Sequence, residues 1–510
     1  MKKLLLYIAL FFCAMPAGFC QNFNFLYGGS TDDWGIDVIE TYDRGYVILS
    51  TLDGQYARIL VTKIEINGNI LWQKIIGNVS DKLAPSSILE TSDLGYLITG
   101  EEAKYDPPPP GGNSFAMKLN ECGEIEWTKS YGSFGNMDYI TKAVQTDDKG
   151  FAMLANYIDN KRIVLLKIDS VGHLEFKKHY HDTSNSSGWS LKKCMNGDLL
   201  FSGYGYFQNP GGVPAGWWVR SIVTRVDKNG NEKWNYIVKL DTLFKTLSMQ
   251  CIELQDSSIL CGTTYRDANH HQKPYMLKLS KDGNLIWGKF VGDTTGFDAD
   301  INGLCMMDTT RVFLMSGKFY DPVYKGVFLY RTDTSGAFVD TVWYDNQYTC
   351  WPGNLKAVSN HKLIYCGTQD NGGNYQAQII RLREDLSIDT VLNISLNYDS
   401  LCGHVIPAIE YLPFDTNYHV GVETALIEKD EVWLYPNPND GHFTISINSS
   451  ETEEAIIEIT DIAGKLLIRE KYGIAGNKTI SLPYISSGVY LCRVETKYST
   501  VIRKFIVRKP

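Results

Sequence analysis

One unit of about 50 residues recurs seven times along this chain, and that repeat leaves few folds open. Its constant part is a basic residue, an apolar residue, three more, a Gly, then an aromatic four positions on. The copies are KIEINGNILW (Lys63–Trp72), KLNECGEIEW (Lys118–Trp127), KIDSVGHLEF (Lys167–Phe176), RVDKNGNEKW (Arg225–Trp234) and KLSKDGNLIW (Lys278–Trp287). Two degraded copies follow, RTDTSGAFVD (Arg331–Asp340) and RLREDLSIDT (Arg381–Thr390). Before each copy stands a polar turn and an apolar run that reaches a small residue: Ser50, Gly100, Ala155, Gly203, Gly262, Gly317 or Gly367. A small side chain inside a strand marks close approach of another backbone. Each unit therefore reads as four short strands joined by Asp-, Asn- and Gly-rich turns. Four strands per repeat of about 50 residues is the pattern of a propeller blade.

The fold expected is all-β: a seven-bladed β-propeller over residues 21–396, a connector over 397–431, and a small antiparallel, Ig-like β-sandwich over 432–510. FNFLYGG near the N-terminus has the look of a fourth strand and could close the ring inside the last blade. Six or eight blades also fit, since Asp399–Leu412 has room for one more strand. The repeat is similar to propeller repeats of Bacteroidetes surface proteins, without a WD or kelch signature.

Composition agrees with sheet: aromatics make up 12% of the chain, and Tyr alone occurs 31 times. Net charge is −9, and two units more negative once Lys2 and Lys3 are gone; no basic stripe stands out, which excludes nucleic acid as the expected partner. Lys2 and Lys3, the apolar run Leu4–Met15 and the small residues before Gln21 read as a secretory signal peptide over 1–20, with cleavage near Cys20–Gln21. A lipoprotein signal at Cys20 is disfavoured by the bulky Phe19. No transmembrane span is expected. Cysteine spacing shows no CxxC, and buried thiols are the plain reading. Cys251 and Cys261 flank a turn symmetrically and could face each other, as thiols or as a cross-strand disulfide.

The last 77 residues follow another pattern. Alternating strands (HFTISI, AIIEIT, KLLIRE, GVYLCRVE, VIRKFIV) are punctuated by YPNP at Tyr435, Pro436, Asn437 and Pro438, then by Gly441, DIAG at Asp461–Gly464 and GVY at Gly488–Tyr490. A basic final strand includes Lys504. This tail resembles the type A C-terminal sorting domain of cargo exported by the type IX secretion system of Bacteroidetes. The resemblance implies the type IX machinery as partner, secretion or attachment at the outer-membrane surface, and removal of the tail. Several D-[ST]-apolar triplets, such as Asp169–Val171, resemble the O-glycosylation signal of that phylum.

For the upstream region the residues say less. The repeated aromatic (Trp72, Trp127, Phe176, Trp234, Trp287) reads as packing between blades. The repeated base (Lys63, Lys118, Lys167, Arg225, Lys278, Arg331, Arg381) reads as paired, with Asp33, Asp81, Asp138 and Asp298 as candidate partners, rather than as an anion-binding ring around the channel. DADING at Asp298–Gly303 opens like a calcium loop but has Thr309 where the twelfth, acidic ligand belongs; His179 with His181, and His270 with His271, have no third ligand nearby. No metal, cofactor or catalytic motif is expected: GxSxG, P-loop, GxGxxG and HExxH are absent. In a four-stranded blade, loops after strands two and four share one face, and here they are the long ones. They carry Tyr105, Tyr204, Tyr206, Phe207, Trp217, Trp218, Tyr265 and Tyr320. The expectation is a non-catalytic module binding glycan or protein there. The alternative is a secreted hydrolase or lyase, acting on polysaccharide or peptide at the channel mouth.

Overall fold

The structure, a computed structural model, describes residues 21–414 and 431–509. Excepted are 105–110, 133–137, 158–161, 182–185, 209–216, 239–244, 267–271, 293–299, 319–325, 346–349, 449–453, 462–464, 474–475 and 496–499, and positions 30, 371, 393, 395 and 438. The signal-peptide reading lies outside the described residues. Two compact units divide the chain, Met1–Val422 and Glu423–Pro510.

The first unit is built of antiparallel sheets that succeed one another along the sequence; among the described residues there are seven with four such strands. Their first strands are Gly35–Glu40, Leu83–Glu90, Asp138–Gln145, Ser186–Lys193, Lys245–Glu253, Asp300–Met306 and Cys350–Val358. Each touches the next, and the last touches the first. The first strands therefore line an axis, as in a propeller. The seventh sheet takes its fourth strand from the N-terminus: Asn24–Tyr27 pairs antiparallel with Tyr375–Leu382. Arg381 fastens this closure. Its guanidinium lies 4.1 Å from the Phe23 ring, donates to the Ile66 carbonyl at 2.6 Å and pairs with Asp389 at 2.7 Å.

Every first strand carries a β-bulge, at Ile36, Ser86, Thr141, Trp189, Ser248, Asn302 and Gly353 in turn. Bulges add twist and bend where strands crowd toward an axis. They also account for most of the repeated small residues. Gly203 faces Gly188 beside the fourth bulge, where a Cβ would run into the Ser187 carbonyl; Gly100 likewise meets Ala84. Fourth-strand aromatics seal the joints between sheets. Trp72 is buried against Gly123 of the next sheet, and the half-buried Trp234 and Trp287 lie against Gly283 and Gly336. Such a ring removes about 150–250 Å² from water. Three tyrosines ending fourth strands clip the same turns: Tyr27 donates to Gly68 O, Tyr131 to Gly172 O and Tyr180 to Gly230 O, at 2.7–2.8 Å.

Part of the 397–431 stretch does more than connect. Ile409–Leu412 adds a fifth, parallel strand beside Ile70–Ile76, and Cys402 forms a disulfide with Cys122 of the second sheet. That bond closes a sequence separation of 280, where chain-entropy arguments give stabilisation of about 5 kcal/mol. This bond corrects the buried-thiol reading for Cys122 and Cys402, whose separation no local pattern bridges. Cys251 and Cys261 do face each other in register, with sulfurs 3.0 Å apart, as free thiols.

The second unit packs a three-stranded sheet with a four-stranded one. Phe443, Ile457, Ile459, Tyr490, Cys492 and Phe505 fill its core. Asn437 ties the entry turn to the last strand by accepting from Ile506 N at 2.8 Å, and Lys504 lies on that strand opposite Leu491. Gly441 turns at φ 103°. Tyr435 is half exposed, and Tyr490 donates to Ser486 O at 2.9 Å. Pro438 and Gly464 lie outside the described residues.

Candidate functional site

The repeated bases are structural. Each sits at or beside the start of the third-to-fourth strand turn, and five of them face the aromatic in register: Lys63 opposite Trp72, Lys118 opposite Trp127, Lys167 opposite Phe176, Arg225 opposite Trp234 and Lys278 opposite Trp287, whereas Arg331 faces Asp340. Their partners are not the upstream aspartates. Lys63 bonds Asp43 at 2.9 Å, Lys118 bonds Asp93 and Glu126, and Lys167 bonds Asp148 and Glu175. Arg225 bonds Asp198 and Glu253, Lys278 bonds Asp256 and Arg331 bonds Asp340. Most of these carboxylates lie in the turn between strands one and two, which the antiparallel sheet brings back beside strand three. Asp33 instead accepts from Gly29 N, Asp81 from Asn78 N, and Asp138 is buried against Gly132; Asp298 lies outside the described residues.

The proposed loop-face residues divide. Tyr204 and Tyr206 come together, ring centroids 6.0 Å apart, on the long hairpin Leu199–Gln208 and Trp217–Val226 of the fourth sheet. Trp218 and Trp217 stand in register opposite Phe207 and Gln208. Tyr265 is elsewhere, half buried and edge-on to Phe290 at 5.0 Å. Tyr105 and Tyr320 lie outside the described residues. The structure adds a ring that the sequence did not suggest. Trp189, the bulge residue of the innermost strand, stacks on Tyr204 at 6.5 Å and is 43% exposed. Beside them Ser187 takes up Tyr139 at 3.4 Å, and burial holds the phenols of Tyr139 and Tyr204 above their usual pKa. Trp189 and Tyr206 together form an open aromatic shelf at the inner edge of the fourth sheet. Nothing in a linear reading marks a bulge, so nothing in the sequence singles out Trp189.

The axis itself is a channel of about 600 Å³ lined by all seven first strands. Ile39, Leu89, Val144, Ile252, Leu304 and Met306 make part of its wall apolar. Asp37, Lys142, Lys192 and Lys356 make another part charged. Asp37 is buried and accepts from Lys356 at 2.7 Å and Asn354 at 2.9 Å, with Lys142 at 3.8 Å. Against its burial, Lys356 and Lys142 hold this carboxyl below the usual range. The described histidines make no metal cluster: His181 bonds Thr224 at 3.0 Å, and among the described residues no group of three or more His, Cys, Asp or Glu could hold an ion.

Residues 433–508 match the family described as secretion system C-terminal sorting domain. The chain is type IX secretion cargo. The sorting domain directs it to secretion or to attachment at the cell surface, and no described helix is long and apolar enough to cross a membrane. The chain resembles several solved structures at low identity. One is a protein of unknown function from Dyadobacter fermentans (TM-score 0.44, 10% identity, 70% of this chain and 96% of that one). Another is Drosophila Plexin A, solved in complex with Semaphorin 1b (0.42, 9%, 71% and 87%). A third is the β-propeller domain of the Trilobed protease from Pyrococcus furiosus (0.36, 11%, 79% and 99%). No curated protein matches the cargo.

Proposed function

We propose that this cargo is a non-catalytic binding module that acts outside the cell and recognises glycan through the shelf on its fourth sheet. The observation that carries the reading is the stack Trp189–Tyr204–Tyr206, in which the two outer rings are 43% and 36% exposed. Large rings left open to water on a rigid sheet offer flat apolar area at small entropic cost, while their polar tips and neighbours such as Ser187 supply hydrogen bonds. Trp217 and Trp218 belong to the same hairpin and extend the reading along it.

The test is a glycan array probed with the full chain and with Trp189→Ala/Tyr206→Ala. Both side chains are partly exposed, so the variant keeps the core. Loss of the array signal, with an unchanged melting temperature, is the expected result. An unchanged signal overturns the shelf as the binding surface. Turnover of an arrayed polysaccharide by the full chain would replace this reading with the hydrolase one.

A further inference from the structure

A separate site is written into the channel. Three ammonium groups project from three different first strands: Lys142 from the third sheet, Lys192 from the fourth and Lys356 from the seventh. One carboxylate answers them. Asp37 is already committed to Lys356, Lys142, Asn354 and the Ile88 amide. Among the described residues Lys192 has no hydrogen bond and no ion pair. Lys192 is open to the water of the channel, yet the protein surrounding it lowers its pKa, and Lys356 and Lys142 lower it further. Burial, offset in part by Asp37, lowers that of Lys142 as well.

The other charged groups in the lining are occupied elsewhere. Glu90 accepts from Tyr42 N at 2.8 Å. Glu253 holds Arg225 and Met195 N, and Lys193 holds Asp147 at 2.6 Å. All three stand at the last residue of their first strands, toward the turns. The wall around the lysines adds neutral hydrogen-bonding groups, Ser87, Ser190 and Gln250.

Crowding like charges into a confined space weakens a fold unless something of opposite sign shares it. Three ammonium groups here face one carboxylate, and the Lys192 side chain reaches no partner among the described residues. We propose that the channel binds a small dianion of the phosphate or sulfate type, held by Lys142, Lys192 and Lys356 with Ser190 and Gln250 beside them. Tetrahedral oxyanions suit donors that converge from several directions, and lysine meets them as a mobile point charge. A cavity of about 600 Å³ has room for the group together with a small organic body on the apolar side formed by Ile252, Leu304 and Met306. This site is independent of the aromatic shelf and stands or falls without it.

Equilibrium dialysis with labelled inorganic phosphate, alongside thermal melting in phosphate, sulfate, malonate or chloride at equal ionic strength, tests the proposal on the full chain. Phosphate or sulfate should raise the melting temperature by on the order of 3 °C over chloride at saturation, with malonate the carboxylate control. Lys192→Gln should weaken phosphate binding on the order of tenfold. It should also melt slightly higher than the parent in chloride, because it removes a repelled charge. Lys142→Gln gives a second variant, and Lys278→Gln, on a rim base, should leave binding unchanged. The proposal is overturned if no dianion outperforms chloride, if malonate alone does, or if Lys192→Gln and Lys142→Gln bind phosphate as the parent does.

Discussion

Two sets of basic side chains share this disc and meet opposite fates. The seven strand-three bases stand near the joints between sheets, each beside a carboxylate that the chain delivers by a tight turn. The three channel lysines stand on the axis beside one carboxylate, Asp37, which only Lys142 and Lys356 reach. The first set is bought by geometry: a turn aspartate lands beside strand three in most sheets because the sheet is antiparallel. The second set has no such rule, since a channel position occurs once per sheet and its neighbours come from other sheets. Repetition therefore marks groups that hold the fold, and departure from repetition marks groups free for something else.

The sharpest way to break this contrast is at Asp389. It is 2% exposed and holds Arg381, Lys362 and Arg383 together where the ring closes. Asp389→Ala strands the buried Arg381 without its partner, and breaking such a pair costs about 3–5 kcal/mol. Urea denaturation should show that loss. A loss below about 1 kcal/mol would mean the rim pairs are ornamental and the contrast with the channel empty. A middle case is Lys118. Its stem is buried, but its partners Asp93 and Glu126 are exposed by 61% and 45%. Lys118→Met keeps the stem and removes a partly screened pair, so about 1 kcal/mol is expected in the same experiment.

How much of this was legible follows the same division. The repeat spelled out the sheets, the basic and aromatic positions and the closing strand, because those features depend on neighbours within one unit or on a fixed step to the next. The carboxylate partners were misplaced. Asp33 and Asp138 recur at similar intervals, yet they sit at the start of the first strand or before it, while Asp43 and Asp148 return beside the base through the turn. The Cys122–Cys402 bond joins a turn of one sheet to a strap hundreds of residues away, and no local pattern carries that. Tyr204 and Tyr206 read as residues of a long loop, whereas the chain carries them on the strand Leu199–Gln208 of a long hairpin; Trp189 drew no notice, because a bulge decides where it points. The channel lysines were invisible for the opposite reason to the rim bases. Lys142 takes a place held by Asp37 and Ser87 in the first two sheets, so no column of like residues announces it.

The smallest expected effect is also the one that separates the two sets most directly, because they titrate in different windows: at neutral pH the charged rim carboxylate stabilises the fold, whereas the charged channel lysine weakens it. At the rim, hydrogen bonds from Thr146 and Lys167 outweigh burial and hold the Asp148 carboxyl at about 2. A carboxyl whose folded pKa is depressed adds stability above its unfolded value, near 3.9, and that stability drains away as pH falls from about 4 toward 2. In the channel, partial desolvation and repulsion from Lys356 and Lys142 depress the folded pKa of the solvent-exposed Lys192 below the unfolded value near 10.4. Between those two values the unfolded chain binds more protons than the folded one, so stability rises with pH there. The parent should therefore lose stability on the acid side and gain a little on the alkaline side below about pH 10. Lys192→Gln should keep the acid loss and blunt the alkaline gain, read as the slope of denaturation free energy against pH. An alkaline slope equal in parent and variant would mean that Lys192 titrates as it does in the unfolded chain. The channel would then be no more confining than open surface, and the distinction between rim and axis would reduce to one of hydrogen bonding.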